Sequence, residues 1–128
     1  MLPKLDFTSI VLGPLATLNL KDKKVTQTIR SRSYIDSLPF VDKPRVGKVF
    51  RITLDGKTIG KAEIKNIEVI NLGKLGEEDA KAGGFGSYSE LCRALQRAGF
   101  RFKPLSEYEG YKIEFLWLDN AHENVLKF

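Results

Sequence analysis

Alternating apolar and polar residues predict that most of this chain is built of β-strands. Phe50, Ile52 and Leu54 would lie on one face of such a strand, with Arg51 and Thr53 on the other. β-Branched and aromatic residues, which favour strands, are frequent in the other alternating segments. The pattern predicts four strands, over residues 25–32, 49–54, 59–70 and 111–118.

The second and third of these strands should form a hairpin. Asp55-Gly56 lies between them, and glycine tolerates the positive φ that tight hairpin turns require. The apolar positions within 59–70 do not keep one parity along the strand. We therefore expect a β-bulge near Gly60-Lys61 or near Lys65-Asn66.

Short helices interrupt this strand pattern. Ser87 and Glu90 are spaced as a capping box, and the apolar stripe that follows at i, i+3, i+4 and i+7 ends before Gly99. An acidic first turn indicates a shorter helix over 77–82, and 15–20 has helix-compatible composition. Residues 37–47 are predicted to form a loop. The order favours an α+β, mostly β fold, a small barrel or curled sheet, over a doubly wound parallel sheet.

Composition is that of one globular domain spanning residues 1–128. The chain carries a formal charge of +5, which favours polyanionic partners only weakly. The distribution of charge says more, because residues 1–54 hold ten Lys or Arg against four Asp. Such an asymmetry is typical of a nucleic-acid or anion surface.

Cysteine and histidine usage argues against disulfides and metals. Cys92 is the single cysteine, and His122, the single histidine, has no cysteine near it. We therefore expect a cytoplasmic protein with no structural metal and no cofactor. The apolar run over residues 10–16 is too short to span a bilayer and contains Pro14, so no membrane association is expected. We expect a monomer.

The most chemically distinctive segment is 23–32, Lys-Lys-Val-Thr-Gln-Thr-Ile-Arg-Ser-Arg. On a regular strand Thr26, Thr28 and Arg30 share a face, with Arg32 continuing the same parity. Two hydroxyls and two guanidinium groups aimed one way are suited to a phosphate, since the arginine fork can bind it in a bidentate manner. The alternative is an ordinary solvated strand face.

Several motifs together resemble those of ASCH domains. Residues 26–30, Thr-Gln-Thr-Ile-Arg, are similar to the family's K-T-x-T-x-R signature. Residues 45–49 resemble the loop that enters its next strand, and 83–91, Gly-Gly-Phe-Gly-Ser-Tyr-Ser-Glu-Leu, resemble its E-G-F-x-S-x-x-E-L segment. The resemblance extends over roughly residues 15–118. It implies a PUA-like β-barrel with short helices at its openings and a cleft, associated with RNA binding, beside the T-x-T-x-R strand.

The same resemblance leaves an enzymatic alternative. Some small bacterial members are amidohydrolases acting on N4-acylated cytidine through a lysine, a threonine and a glutamate. Here Val25 stands at the position of the signature lysine and Gly83 at that of the glutamate, while Thr28, the nucleophile, is retained. Lys24 would have to replace the lysine, although a one-residue shift on a strand points a side chain to the opposite face. Glu77, Glu78 or Asp79 would have to replace the glutamate, although acidic residues in a first helical turn are expected for the helix dipole alone. These departures favour a binding protein over an enzyme.

The leading hypothesis is therefore a module that binds RNA or a nucleotide-like ligand. The residues expected to bind it are Lys23, Lys24, Thr26, Thr28, Arg30, Arg32 and Arg45. Exposed Tyr34 and Phe40 are the preferred aromatic platforms for bases, whereas Phe85 and Trp117 are expected in the core. A small pocket with a lysine and a carboxylate near the two threonines would favour the hydrolase, and an open basic groove would favour RNA.

Overall fold

The computed structural model describes residues 2–119. Its strands are β1 (Lys4–Phe7), β2 (Gln27–Ser31), β3 (Val49–Leu54), β4 (Lys57–Asn71) and β5 (Glu109–Trp117). Its α-helices are α1 (Ser9–Leu12), α2 (Pro14–Lys21), α3 (Arg32–Ser37), α4 (Glu77–Ala82) and α5 (Tyr88–Arg97). Short 3-10 turns lie at Phe40–Asp42, Leu72–Lys74 and Leu105–Glu107.

The five strands form a single mixed sheet in the order β1-β3-β4-β5-β2. β1 runs parallel to β3, and the other neighbours are antiparallel. The sheet curls into a half-barrel with short helices around it, which confirms the predicted fold class. β1 and β2 are the two edge strands, so the half-barrel is open between them.

The hairpin and the bulges occur where the sequence predicts them. Asp55 and Gly56 both have positive φ, at 49° and 85°, as a tight hairpin turn requires. The β3–β4 register shifts between Ile52 and Thr53, opposite Ile59, and the β4–β5 register shifts at Lys65. These two irregularities let the long strand β4 bend with the curl of the sheet.

Two apolar clusters cover the two faces of the sheet. The larger fills the inside of the half-barrel and includes Phe7, Leu12, Phe50, Ile64 and Trp117. The smaller lies between the sheet and helices α4 and α5, and Ile29 packs against it. Ile29 of β2 thus packs on the side of the smaller cluster, and Phe85 contacts both clusters.

The helix predictions hold best where capping residues are present. α4 has the predicted bounds, and Ser87 caps α5 by accepting a hydrogen bond from the backbone N–H of Glu90. The Glu90 side chain accepts from Gly86, so the reciprocal half of the predicted capping box is displaced by one residue.

The sequence prediction missed β1 and the short helices α1 and α3, and it made the strand at β2 too long. β1 was not predicted, since its four residues gain strand character only by pairing with β3 far along the chain. The prediction of a strand over 25–32 was wrong at both ends: β2 begins at Gln27, and Ser31 caps α3, whose first residue is Arg32. Arg32 therefore does not continue the strand parity of Thr28 and Arg30.

Candidate functional site

A cavity of about 270 Å³ occupies the gap between the two edge strands. β1 contributes Asp6 and Phe7 to its lining, β2 contributes residues 27–30, and α5 lies across it with an apolar face. The lining from α5 and the residues after it consists of Leu91, Ala94, Leu95 and Ala98. The cavity exists because the half-barrel does not close between β1 and β2.

Thr28 and Arg30 lie together in this lining. Both side chains leave the same face of β2, and Nε of Arg30 donates a hydrogen bond to Oγ1 of Thr28 at 3.0 Å. Thr28 is buried, with 9% of its surface exposed. The Thr28 hydroxyl proton and the terminal Nη groups of Arg30 make no hydrogen bond to residues 2–119, so both remain available to a ligand.

Arg30 is a cation without an ionic partner in the described part of the chain. Its guanidinium carbon lies 4.7 Å from the ring centroid of Phe7, a cation–π arrangement. Asp6 attracts it from beyond ion-pair distance and instead accepts a hydrogen bond from Thr53. Burial lowers the pKa of Arg30, but arginine remains charged at neutral pH.

The other side of the cavity carries a neutralised carboxylate. Oδ1 of Asp79 accepts from the side-chain amide of Gln27 at 3.0 Å and pairs with Nζ of Lys112 at 2.9 Å. Its Oδ2 accepts from the backbone N–H of Gly76, which caps α4. Burial opposes ionisation, but these hydrogen bonds prevail and lower the pKa of Asp79. A carboxylate so held is a weak base.

The remaining predicted binding residues lie outside the lining. Thr26 is exposed, and its backbone bonds Ala82 and Phe115. Lys24 is also exposed, while Nζ of Lys23 lies 5.8 Å from the Trp117 ring centroid. Arg32 pairs with Asp36 and Glu109, and Arg45 stacks on Phe40; neither lines the cavity.

The two family positions that differ in this sequence are both buried. Gly83 lines the cavity, and a Cβ there would lie 3.0 Å from the Phe85 ring and 3.3 Å from the carbonyl oxygen of Asp79. Val25 is 1% exposed, and its carbonyl accepts a hydrogen bond from the indole of Trp117. Both positions are therefore closely packed in this chain.

The aromatic residues divide largely as predicted. Tyr34 and Phe40 are exposed, and Trp117 is in the core. Phe85 packs against both apolar clusters and also borders the cavity. Phe7, the aromatic residue beneath Arg30, was not predicted, because β1 was missed.

Sequence reasoning identified the carboxylates at the cavity only in part. Asp79 was one of three acidic residues, with Glu77 and Glu78, that could replace the missing glutamate, and Asp6 was not considered. A sequence signal was available, because Asp79 is the third residue of a helix that precedes the motif segment 83–91. The cationic partner of Asp79 carried no such signal, since Lys112 reaches it through strand pairing alone.

Residues 2–119 also lack a membrane-spanning helix and a metal-binding cluster. No helix there has the length and apolar character needed to cross a membrane. No group of three or more His, Cys, Asp or Glu there could hold a metal ion. His122 lies outside the described residues.

Comparison of the sequence with family models and with curated proteins finds no match. Comparison of the structure does find solved structures with a similar fold. An ASCH domain from Lactobacillus crispatus matches with a TM-score of 0.60 at 20% identity, over 80% of this chain and 69% of that one. The chain has an ASCH-domain fold. An Enterococcus faecalis protein of family DUF984 shares the fold, with a TM-score of 0.65 and 18% identity over 93% and 82% of the two chains.

Proposed function

We propose that this ASCH-fold protein binds a nucleotide-like unit in the cavity between β1 and β2, either free or as one residue of an RNA. The observation that carries the proposal is Arg30, a partly buried cation with no ion pair in residues 2–119 and with unbonded Nη groups beside a cavity. A buried charge of this kind is costly unless a partner satisfies it. A phosphate or a polarised carbonyl oxygen would be such a partner.

The size of the cavity supports a single unit over a length of nucleic acid. Its volume of about 270 Å³ is just below the range of about 300–1,000 Å³ that is usual for small-molecule sites. Its lining is mostly apolar, and the polar residues in it are Asp6, Thr8, Thr28, Arg30 and the bonded Gln27–Asp79 pair. An apolar wall with a few convergent polar groups suits an aromatic base.

The cations outside the cavity, half-buried Lys23 and exposed Lys24, Arg32 and Arg45, have a secondary place in this proposal. They would contribute only where the ligand is an RNA whose flanking phosphates extend beyond the cavity. Thr28 and Arg30 are the residues proposed to touch the bound unit itself, and exposed Thr26 is assigned no contact with it.

The proposal is tested by calorimetric titration with the four ribonucleoside 5′-monophosphates. Arg30→Gln should weaken the binding of at least one of them about tenfold or more, the effect expected for a lost charge-assisted hydrogen bond. Arg32→Gln is the matched control, because Arg32 is two residues away, exposed and outside the cavity. The proposal fails if no monophosphate binds, or if Arg32→Gln weakens binding as much as Arg30→Gln.

A second candidate function is amide hydrolysis of N4-acylated cytidine. The observation favouring it is that a threonine hydroxyl and a carboxylate, Thr28 and Asp79, line the same small cavity. This meets the sequence-based criterion for the hydrolase only in part, because neither Thr26 nor a lysine belongs to the lining and Lys112 is paired with Asp79. Oγ of Thr28 would attack the acyl carbonyl and release cytidine, and water would then free the carboxylic acid. Against it, the hydrogen-bond partner of Thr28 is a donor and not a base, and Lys24 lies outside the cavity lining. Both carboxylate oxygens of Asp79 already accept hydrogen bonds, which makes Asp79 a weak base.

This candidate predicts turnover of N4-acetylcytidine to cytidine and acetate, and Thr28→Val should abolish it. Lys24→Met should retain turnover, because Lys24 lies outside the cavity lining. Loss of turnover in Lys24→Met would instead identify Lys24 as the base that takes the Thr28 proton. Absence of turnover by the native protein dismisses that substrate. Binding of the intact compound without turnover would agree with the leading proposal.

A further inference from the structure

The backbone of β2 presents unused hydrogen-bonding groups to the cavity. β2 pairs only with β5, in the register Thr28↔Ile113 and Ile29↔Lys112. The N–H of Phe115 donates to the carbonyl of Thr26. In an antiparallel ladder hydrogen-bonded and non-hydrogen-bonded pairs alternate, so Thr28 and Arg30 bond β5 and the groups of Gln27 and Ile29 point to the free edge.

Ile29 is the residue where this free edge meets the cavity. Its side chain packs against the cluster under α4 and α5, and the residue itself is part of the cavity lining. Within residues 2–119 its backbone N–H and C=O make no hydrogen bond outside the β2–β5 ladder, and the alternation along that ladder turns both groups away from β5. Polar backbone groups at such a half-buried position normally have a partner, and here a ligand or water must supply it.

An extended residue presents its N–H and C=O side by side in one plane, as it does toward a partner strand. A nucleobase has the same arrangement of adjacent donor and acceptor on its Watson–Crick edge, which proteins read in unpaired nucleotides. From this match we infer that Ile29 binds the Watson–Crick edge of an unpaired base, through its main chain. The inference rests on the proposed function and adds which part of the nucleotide is read.

The positions of the charged group and the apolar walls agree with this assignment. Thr28 and Arg30 leave β2 on the inner face, beside Phe7, while Leu91 and Leu95 close the cavity from the α5 side. A base entering edge-on against Ile29 would have apolar side chains on both sides. An extended peptide could also pair with a free strand edge, but a cavity of about 270 Å³ under α5 leaves little room for one.

The inference predicts that affinity for a nucleotide depends on an unmodified Watson–Crick edge of its base. With uridine 5′-monophosphate as the probe, methylation at N3 should reduce affinity about tenfold or more, because it removes the donor and blocks the approach of the carbonyl. Methylation at C5 is the matched control, since C5 is not on that edge, and it should change affinity little. Equal affinity of the N3-methylated and unmodified nucleotides would overturn the inference.

A second measurement needs no altered ligand. In the ligand-free protein the Ile29 amide hydrogen should exchange rapidly with solvent. With saturating uridine monophosphate its exchange should be at least tenfold slower. The amides of Thr28 and Arg30, which bond β5, should be slow in both states. If the bound nucleotide does not slow the exchange of the Ile29 amide, the inference is overturned.

The matching variant is Ile29→Pro, which removes the N–H. Proline is tolerated on an edge strand where the N–H faces away from the ladder, and Ile29→Val keeps the N–H as the control. We expect nucleotide binding to weaken in Ile29→Pro and to stay unchanged in Ile29→Val. If binding depends on Arg30 but not on the Ile29 N–H, the inference fails and the proposed function stands; if no monophosphate binds, both fail.

Discussion

Arg30 donates its Nε–H to the hydroxyl of Thr28 at 3.0 Å, and this bond fixes the guanidinium over the ring of Phe7. Since Arg30 has no ionic partner in residues 2–119, the Thr28 oxygen is the acceptor that holds its orientation. The cation is thus positioned by a neutral group, which leaves its charge available to a ligand.

Removing the Thr28 hydroxyl should lower the stability of the whole protein. Thr28→Val keeps the side-chain shape but leaves Nε of Arg30 without its acceptor, and we expect a loss of about 1–3 kcal/mol in the free energy of unfolding. Thr28→Ser should recover most of the loss because it restores the oxygen. Urea denaturation of the three proteins measures this. Equal stability of the Val and Ser variants would show that the hydrogen bond contributes nothing.

The Asp79–Lys112 pair predicts how stability depends on pH. Burial raises the pKa of Asp79, but hydrogen bonds from Gln27 and Lys112 outweigh burial and the net shift is downward. The pair therefore stabilises the fold above the unfolded aspartate pKa of about 3.9, and this contribution is lost as the pH falls through the lower folded value. Its bond to Asp79 raises the pKa of Lys112. That contribution is complete below the unfolded lysine pKa of about 10.4 and is lost as the pH rises through the higher folded value.

Asp79→Asn should cost about 1–3 kcal/mol at neutral pH and should reduce the loss of stability in acid. Denaturation at a series of pH values measures both effects. Glu63→Gln is the control, because the Glu63–Lys65 pair is more exposed and should contribute under about 1 kcal/mol. An acid profile of Asp79→Asn that parallels the native one would contradict the assignment.

Gly84 is a position where glycine is required on two grounds. Its φ is +88°, and a Cβ would lie 2.7 Å from Cγ2 of Val25. Gly84→Ala should therefore cost about 1–3 kcal/mol, from backbone strain and from the collision. Adding Val25→Ala should relieve only the collision, so a double-mutant cycle should give a favourable coupling. If the effects of the two substitutions on the free energy of unfolding are strictly additive, Gly84→Ala and Val25 do not interact sterically.

Salt dependence separates the cavity from the exposed cations. With a short single-stranded RNA, binding through Arg30 alone should give a slope of log K against log salt of about −0.7, the value for one phosphate contact. Engagement of Lys23, Lys24, Arg32 and Arg45 as well would make the slope several times steeper. A steep slope that survives Arg30→Gln would place the main RNA contact on the outer surface.

The fold was predictable from the sequence wherever a local signal determined it. The Asp55-Gly56 turn, the Ser87 cap and the parity break near Lys65 each depend on neighbouring residues, and the structure has the hairpin, helix α5 and a bulge there. β1 has no comparable signal. Its Leu5 and Phe7 become strand residues by parallel pairing with β3, which only the tertiary structure determines.

The candidate site follows the same division. Thr28 and Arg30 were identified because they alternate on one strand, and both line the cavity. Their neighbours come from distant parts of the chain: Phe7 from β1 through the curl of the sheet, and Asp79 from α4. No spacing in the sequence places these residues together. The excess of positive charge in residues 1–54 did not indicate where the cavity lies. Of the ten Lys and Arg residues in that segment, Arg30 alone is in the cavity lining.

The most direct test of the central claim is to observe Arg30 itself during ligand binding. In a ¹⁵N NMR titration with ribonucleoside monophosphates, the Nε–Hε signal of Arg30 should shift with the same midpoint as the backbone signals of Thr28 and Ile29. The Nε–Hε signals of Arg32 and Arg45 should stay in place. Shifts confined to Arg32 and Arg45, with Arg30 unmoved, would contradict a nucleotide site between β1 and β2.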